Sequence, residues 1–211
     1  MSNSTQSNAS PIAGGIAGNP VGGAPQVARR APVIANGVLG MIIFVITEVM
    51  FFTGLVSAFL ITRASIGPMS WPPPNQPRLP VASTAVNTLA LLLSAAVLFR
   101  AYMLRRREQP QALRTLGFAI LLGTGFLLGQ GREWVALLRE GLTLRSSVHG
   151  SFFYIIVGCH GLHALCALIA LAWCFARLRT GRLRTETLAA TSVFWYFVAG
   201  IWPILYYQIY L

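Results

Sequence analysis

The sequence predicts an all-α, polytopic membrane protein with five transmembrane helices. Three observations lead there. Of the 211 residues, 55% are hydrophobic, and the mean hydropathy is +0.64. Only 10% are charged, where a soluble domain carries about 25%. The apolar residues also fall into five runs, each long enough for the roughly 20 helical residues that cross a hydrocarbon core. A soluble globular core is excluded on these grounds. Nucleic acid is not an expected partner despite the net charge of +11, because the arginines lie in clusters between apolar runs, as membrane topology requires.

Residues 1–31 are rich in Ser, Asn, Gly, Ala and Pro and end at Arg29-Arg30. That composition cannot bury a core, and no charged segment precedes its apolar residues as in a secretory signal. It reads as a flexible tail ahead of one domain over 32–211. Span one runs over 32–61 and is interrupted by Asn36, Thr47, Glu48, Thr53 and Ser57. Residues 63–80 contain Trp71-Pro72-Pro73-Pro74. Consecutive prolines cannot continue a helix, so this is a stiff loop with Trp71 at the membrane interface. Span two covers 82–104 and span three 111–138, the last third of which holds Gln130, Arg132 and Glu133. Span four covers 147–176. Span five covers 187–211 and ends in Tyr206, Tyr207 and Tyr210, which read as an interfacial aromatic belt.

An odd number of spans puts the termini on opposite sides. Arg29, Arg30, Arg100, Arg105, Arg106, Arg107, Arg114, Arg177, Arg179, Arg182 and Arg184 then share one side, and Arg63, Arg78, Arg132, Arg139 and Arg145 the other. The positive-inside rule places the larger group in the cytoplasm. The N-terminus is expected inside and the C-terminus outside. Cys159, Cys166 and Cys174 all lie on span four and act as small apolar residues. Their spacing on one helix forbids a disulfide among them.

The candidate functional residues are the polar side chains that such spans tolerate at a cost. Glu48 falls near the centre of span one, where an ionised carboxylate costs at least about 2.5 kcal/mol. It is either a proton-linked or lipid-facing carboxyl, or a structural hydrogen-bonding group. His160 and His163, three apart, share a helical face. Zinc or copper would need further ligands on facing helices, and the only other histidine, His149, is three turns away. Hydrogen bonding between helices, to a lipid or to a partner subunit is the expected role, and no metal site is expected. Gln130 and Glu133 share a face near the end of span three. The arginine clusters at 105–107 and 177–184 set topology, or bind anionic phospholipid at about 1 kcal/mol per residue. No nucleophile–base pair, phosphate loop or CxxC motif appears, so the chain reads as a subunit and not as a lone enzyme.

Seven stretches in order carry a family resemblance over residues 36–211. They are Thr47-Glu48-Val49-Met50-Phe51-Phe52-Thr53-Gly54, Trp71-Pro72-Pro73, Asn87-Thr88, Gln130-Gly131-Arg132-Glu133-Trp134, Gly150-Ser151-Phe152-Phe153, Gly158-Cys159-His160-Gly161-Leu162-His163, and the run from Phe194 to Trp202. Together they resemble subunit III of the haem–copper terminal oxidases, in the five-span bacterial form that lacks the first two helices of larger members. The resemblance implies a non-catalytic subunit of a proton-pumping cytochrome c oxidase in the bacterial cytoplasmic (inner) membrane. Such a subunit packs beside subunit I, with subunit II in the same complex and a respiratory supercomplex as a further setting. It implies no cofactor in this chain, haem and copper in the partner subunits, and structural phospholipids held between helices. Glu48 matches the family's carbodiimide-reactive buried carboxyl, and Arg177 a position near lipid phosphate. Tyr196, Ala199 and Ala189 stand where many members have histidine and acids, which weakens any carry-over of proton-related roles to span five. A quinol-oxidase or nitric-oxide-reductase-associated homologue is the near alternative. A proton-coupled transporter using Glu48, His160 and His163 is the alternative of another class, without the inverted repeats such transporters show.

Overall fold

The computed structural model describes residues 36–66, 81–145 and 147–210. The expected tail 1–31 and Trp71 lie outside the described residues. Five helices follow one another: α1 (Asn36–Ile66), α2 (Val81–Arg106), α3 (Gln111–Arg139), α4 (Val148–Arg179) and α5 (Thr185–Tyr210). Each is long and apolar enough to cross a membrane. α1 continues to Ile66, so Arg63 sits on the helix and not in the expected loop.

Helices α2, α3, α4 and α5 close a ring in which each touches the next, and α1 lies outside it against α5 and, more lightly, α4. The burial pattern follows. α5 buries side chains along much of its length, among them Trp195, Val198 and Trp202, while α1 buries only Phe52 and Phe59, seven residues apart on one face. Much of the rest of α1, including Ile43, Met50 and Ile61, is exposed, while Met41, Val45, Leu55 and Val56 are partly buried against the core. In hydrocarbon such exposure carries no penalty, because acyl chains are as apolar as leucine.

Two helix ends show why glycine is needed locally. At the end of α3, Leu142 N–H donates to Leu137 O (3.0 Å) and Gly141 N–H to Leu138 O (3.2 Å), with Gly141 at φ +92° and Leu142 fully buried. Gly181 ends α4 in the same way at φ +70°, with Arg182 N–H on Arg177 O at 2.9 Å. These are Schellman caps, which require the left-handed conformation that glycine enters freely. Ser147 caps the start of α4 by accepting the Gly150 N–H at 2.9 Å. Within the ring, Gly123 lets α3 approach the Trp195 indole. A Cβ there would lie 2.6 Å from Trp195 Cζ2.

Candidate functional site: polar side chains within the spans

Glu48 lies three residues from the midpoint of α1 and His163 at the midpoint of α4, so both belong at mid-bilayer depth. The structure joins them. His163 Nε2 is 3.0 Å from Glu48 Oε2, with the two side chains 16% and 17% exposed. His163 Nδ1 is 2.7 Å from the Cys159 carbonyl one turn back on α4. A carbonyl can only accept, so Nδ1 carries a proton and donates it. Nε2 of the neutral ring then has only a lone pair to offer Glu48. The Oε2–Nε2 contact is a hydrogen bond only if one proton lies between the two atoms, on the carboxyl or on the imidazole. Either way the pair is neutral overall, which is the form that hydrocarbon tolerates. Phe52, Phe194 and Phe197 wall the imidazole, with ring centroids 5.4, 6.2 and 6.4 Å away.

His160, one turn earlier, does not join this pair. It is 1% exposed and stacks on Trp202 at 4.7 Å and 27°, with Phe126 and Phe52 edge-on. Neither ring nitrogen has a hydrogen-bond partner among the described residues. The hydrogen bond expected of His160, between helices, to a lipid or to a partner subunit, is not seen among the described residues, where the imidazole lies buried inside the helix ring. Among the described residues no three His, Cys, Asp or Glu side chains converge on a common point.

A second polar group ties α2, α3 and α5 at the end where α5 terminates. Glu133 accepts hydrogen bonds from Ser83 Oγ and Thr84 Oγ1, both at 2.7 Å, and more weakly from Gln130 Nε2 at 3.5 Å. Gln130 is 4% exposed and donates to the Tyr210 hydroxyl at 2.9 Å. Asn87 Nδ2 donates to Phe126 O at 2.9 Å, and Trp202 Nε1 to Thr88 Oγ1 at 2.8 Å. Tyr206 OH donates to Val81 O at 3.0 Å. Gln130 and Glu133 are thus interior linkers between helices. Tyr210 is a buried member of the same network, at 8% exposure, and not the interfacial aromatic expected of it, whereas Tyr207 is 64% exposed. The sequence reading missed Ser83 and Thr84. Their signal is the spacing of Ser83, Thr84, Asn87 and Thr88, which puts four polar side chains on one face of an otherwise apolar helix.

Arg177 lies at the opposite end of the bundle, exposed, with its guanidinium over the Trp173 ring at 5.1 Å. Arg105 Nη2 donates to Leu183 O at 2.8 Å and ties α2 to the turn before α5. An apolar groove of about 430 Å³ opens between α1 and α5, lined by Val49, Thr53, Ser57, Tyr196, Gly200 and Ile204 among others.

Comparison with known proteins points to one family. A probable cytochrome c oxidase subunit 3 from Mycobacterium leprae (strain TN) is 33% identical over 176 residues, which is 82% of this chain and 86% of that protein. The cytochrome c oxidase subunit 3 of Corynebacterium diphtheriae is 33% identical over 177 residues, with the same coverage. That of Pelomedusa subrufa is 33% identical over 193 residues, 86% of this chain and 72% of the relative. The family profile described as cytochrome c oxidase subunit III matches residues 25–211. The chain belongs to the cytochrome c oxidase subunit III family.

Proposed function

We propose that the chain acts as the non-catalytic subunit III of a proton-pumping bacterial cytochrome c oxidase. In this reading it sits in the cytoplasmic membrane beside subunits I and II, which hold the haems and copper. It holds phospholipids between its helices and supports proton uptake and turnover stability in its neighbour. Its N-terminus faces the cytoplasm, with the arginine-rich end that includes Arg105, Arg177 and Arg184. Cytochrome c is the electron donor of the assembled complex.

The observation that carries the reading is the Glu48–His163 pair. It lies at mid-span, is only partly covered by this chain, and stands on the helix with the least protein around it. The lining of the groove between α1 and α5 begins at Val49, next to Glu48, and its size and apolar walls suit an acyl chain. The pair can hold or pass one proton. It offers no nucleophile poised on a substrate and no ligand set for a redox metal. That suits a supporting subunit and leaves electron transfer to partners.

The test is purification in mild detergent from cells that express the whole gene cluster. The expected result is co-elution with a haem- and copper-bearing subunit, and labelling of this chain by a hydrophobic carbodiimide that Glu48→Gln abolishes. Elution as a lone monomer that carries out proton-coupled transport would overturn the reading. Undiminished labelling of Glu48→Gln would remove Glu48 from it.

A further inference from the structure

We propose that Arg132, with the two furrows flanking it on α3, seats a diacyl phospholipid. The phosphodiester lies on the guanidinium and one acyl chain in each furrow. This deepens the reading of the chain as a lipid-holding subunit and rests on it.

Arg132 lies seven residues before Arg139, the last residue of α3, so it is about 10 Å inside the helix end at 1.5 Å per residue. The 29 residues of α3 extend about 43 Å, against a hydrocarbon core near 30 Å. Arg132 therefore stands close to the boundary between acyl chains and headgroups. An arginine at that depth needs an anion or water at its guanidinium. Among the described residues no carboxylate pairs with it. The adjacent Glu133 is turned inward and held by Ser83, Thr84 and Gln130. Arg132 is exposed, and a phosphodiester oxygen pair matches the planar fork of a guanidinium.

The surface on either side supplies the rest. One furrow, about 500 Å³, runs between α2 and α3 past Val86, Ala90, Gly125, Gly129 and Leu137, with Ser83, Asn87, Glu133 and Glu140 also on its lining. The other, about 510 Å³, runs along the far flank of α3 past Leu127, Leu128, Gly131 and Val135. Arg132 and Ala136 belong to both. A cation shared by two furrows whose walls are mainly, though not wholly, apolar fits a headgroup with two chains. A partner helix would need one continuous apolar face. Gly129 keeps the first furrow narrow but open. The Asn87 side chain already fills the space a Cβ would take there, with Oδ1 2.7 Å from that position.

The experiment uses the whole oxidase complex, reconstituted in vesicles of phosphatidylethanolamine and phosphatidylglycerol in equal parts, re-extracted in mild detergent and weighed by native mass spectrometry. Arg132→Gln removes the cation. Ala136→Phe fills both furrows from an exposed position and leaves the charge in place. Each variant should retain one phospholipid fewer per complex than wild type, with every partner subunit present and Glu48 still carbodiimide-reactive. Arg132→Lys should retain the lipid in part. Vesicles of a phosphate-free galactosyl diacylglycerol should leave the seat unfilled in wild type. Equal phospholipid counts in wild type and both variants would overturn the proposal, as would retention of the galactolipid to the same extent. Loss of a partner subunit at unchanged lipid count would make this face a protein interface instead. Failure of wild type to co-purify with a haem-bearing subunit would sink the proposed function, and the two failures are read in separate signals.

Discussion

Replacing either member of the Glu48–His163 pair should separate the hydrogen bond from the proton that makes it. In Glu48→Gln the amide N–H can still donate to His163 Nε2, because Nδ1 is committed as donor to Cys159 O. The loss should then be a neutral hydrogen bond's worth or less, about 0.5–1.5 kcal/mol. Glu48→Ala leaves a mostly buried imidazole nitrogen without a partner, which costs about 1–3 kcal/mol. His163→Leu strands the carboxyl instead. An unpaired buried charge would cost about 3–5 kcal/mol, reduced here because the side chain is 17% exposed. The expected order of stability is wild type, Glu48→Gln, Glu48→Ala, His163→Leu. Thermal denaturation of the purified complex in one detergent gives the order, and ¹⁵N chemical shifts of His163 give the protonated nitrogen. If Glu48→Gln falls as far as Glu48→Ala, or the shifts put the neutral-ring proton on Nε2, the proton-sharing argument is wrong.

Other substitutions probe the interior. His160→Phe keeps a ring to stack on Trp202 and removes two nitrogens without partners, so thermal stability should hold or rise, with lipid and partner retention unchanged; a clear fall would reveal a water or ligand bound at those nitrogens. Gly123→Ala places a methyl 2.6 Å from Trp195 Cζ2 and 3.0 Å from Leu168 Cδ2, and overpacking of that kind costs about 1–3 kcal/mol, visible as a lower melting temperature and lower yield. Tyr210→Phe removes the 2.9 Å acceptor of Gln130 Nε2 in a buried setting and should cost about 1–3 kcal/mol, whereas Tyr207→Phe, at an exposed position, should cost nothing measurable in the same melt.

The helices were legible because each span writes its own boundary. Pro72 to Pro74 and the arginine clusters at 105–107 and 177–184 mark where apolar runs stop. That signal is one-dimensional, and it failed where the answer depended on which way a helix turns. His160 and His163 lie on the same face by count, yet one enters a cage of Phe52, Phe126 and Trp202 and the other meets a carboxyl. Only the position of α1 decides between those fates, and no local pattern encodes it. Tyr210 misled for the same reason. At a helix end a tyrosine is equally suited to a headgroup and to a buried amide, and the choice was made by Gln130, eighty residues away.

The placement of α1 also explains why a carboxyl is tolerated at mid-membrane. Inside a bilayer the hydrophobic effect does not drive one helix onto another, since lipid solvates leucine as well as protein does. A span that fully buries only Phe52 and Phe59, with Met41, Val45, Leu55 and Val56 partly buried, is held to the ring mainly on its α5 side. What it has besides is a hydrogen bond whose alternative is an unpartnered polar group in hydrocarbon, and that alternative is what gives the bond its weight. Glu48 reaches His163 on α4, a helix that α1 otherwise touches only lightly. Phe44 and Phe52 meanwhile keep α1 on α5 through Phe194 and Phe197. The carboxyl therefore fixes both the rotation and the depth of the outermost helix. Any proton role at Glu48 operates through a bond that also holds α1 in place. Melting temperature should accordingly fall in His163→Leu while the Glu48 carboxyl stays labelled, and hold near wild type in Glu48→Gln, where the helix stays docked and only the reactive group is gone.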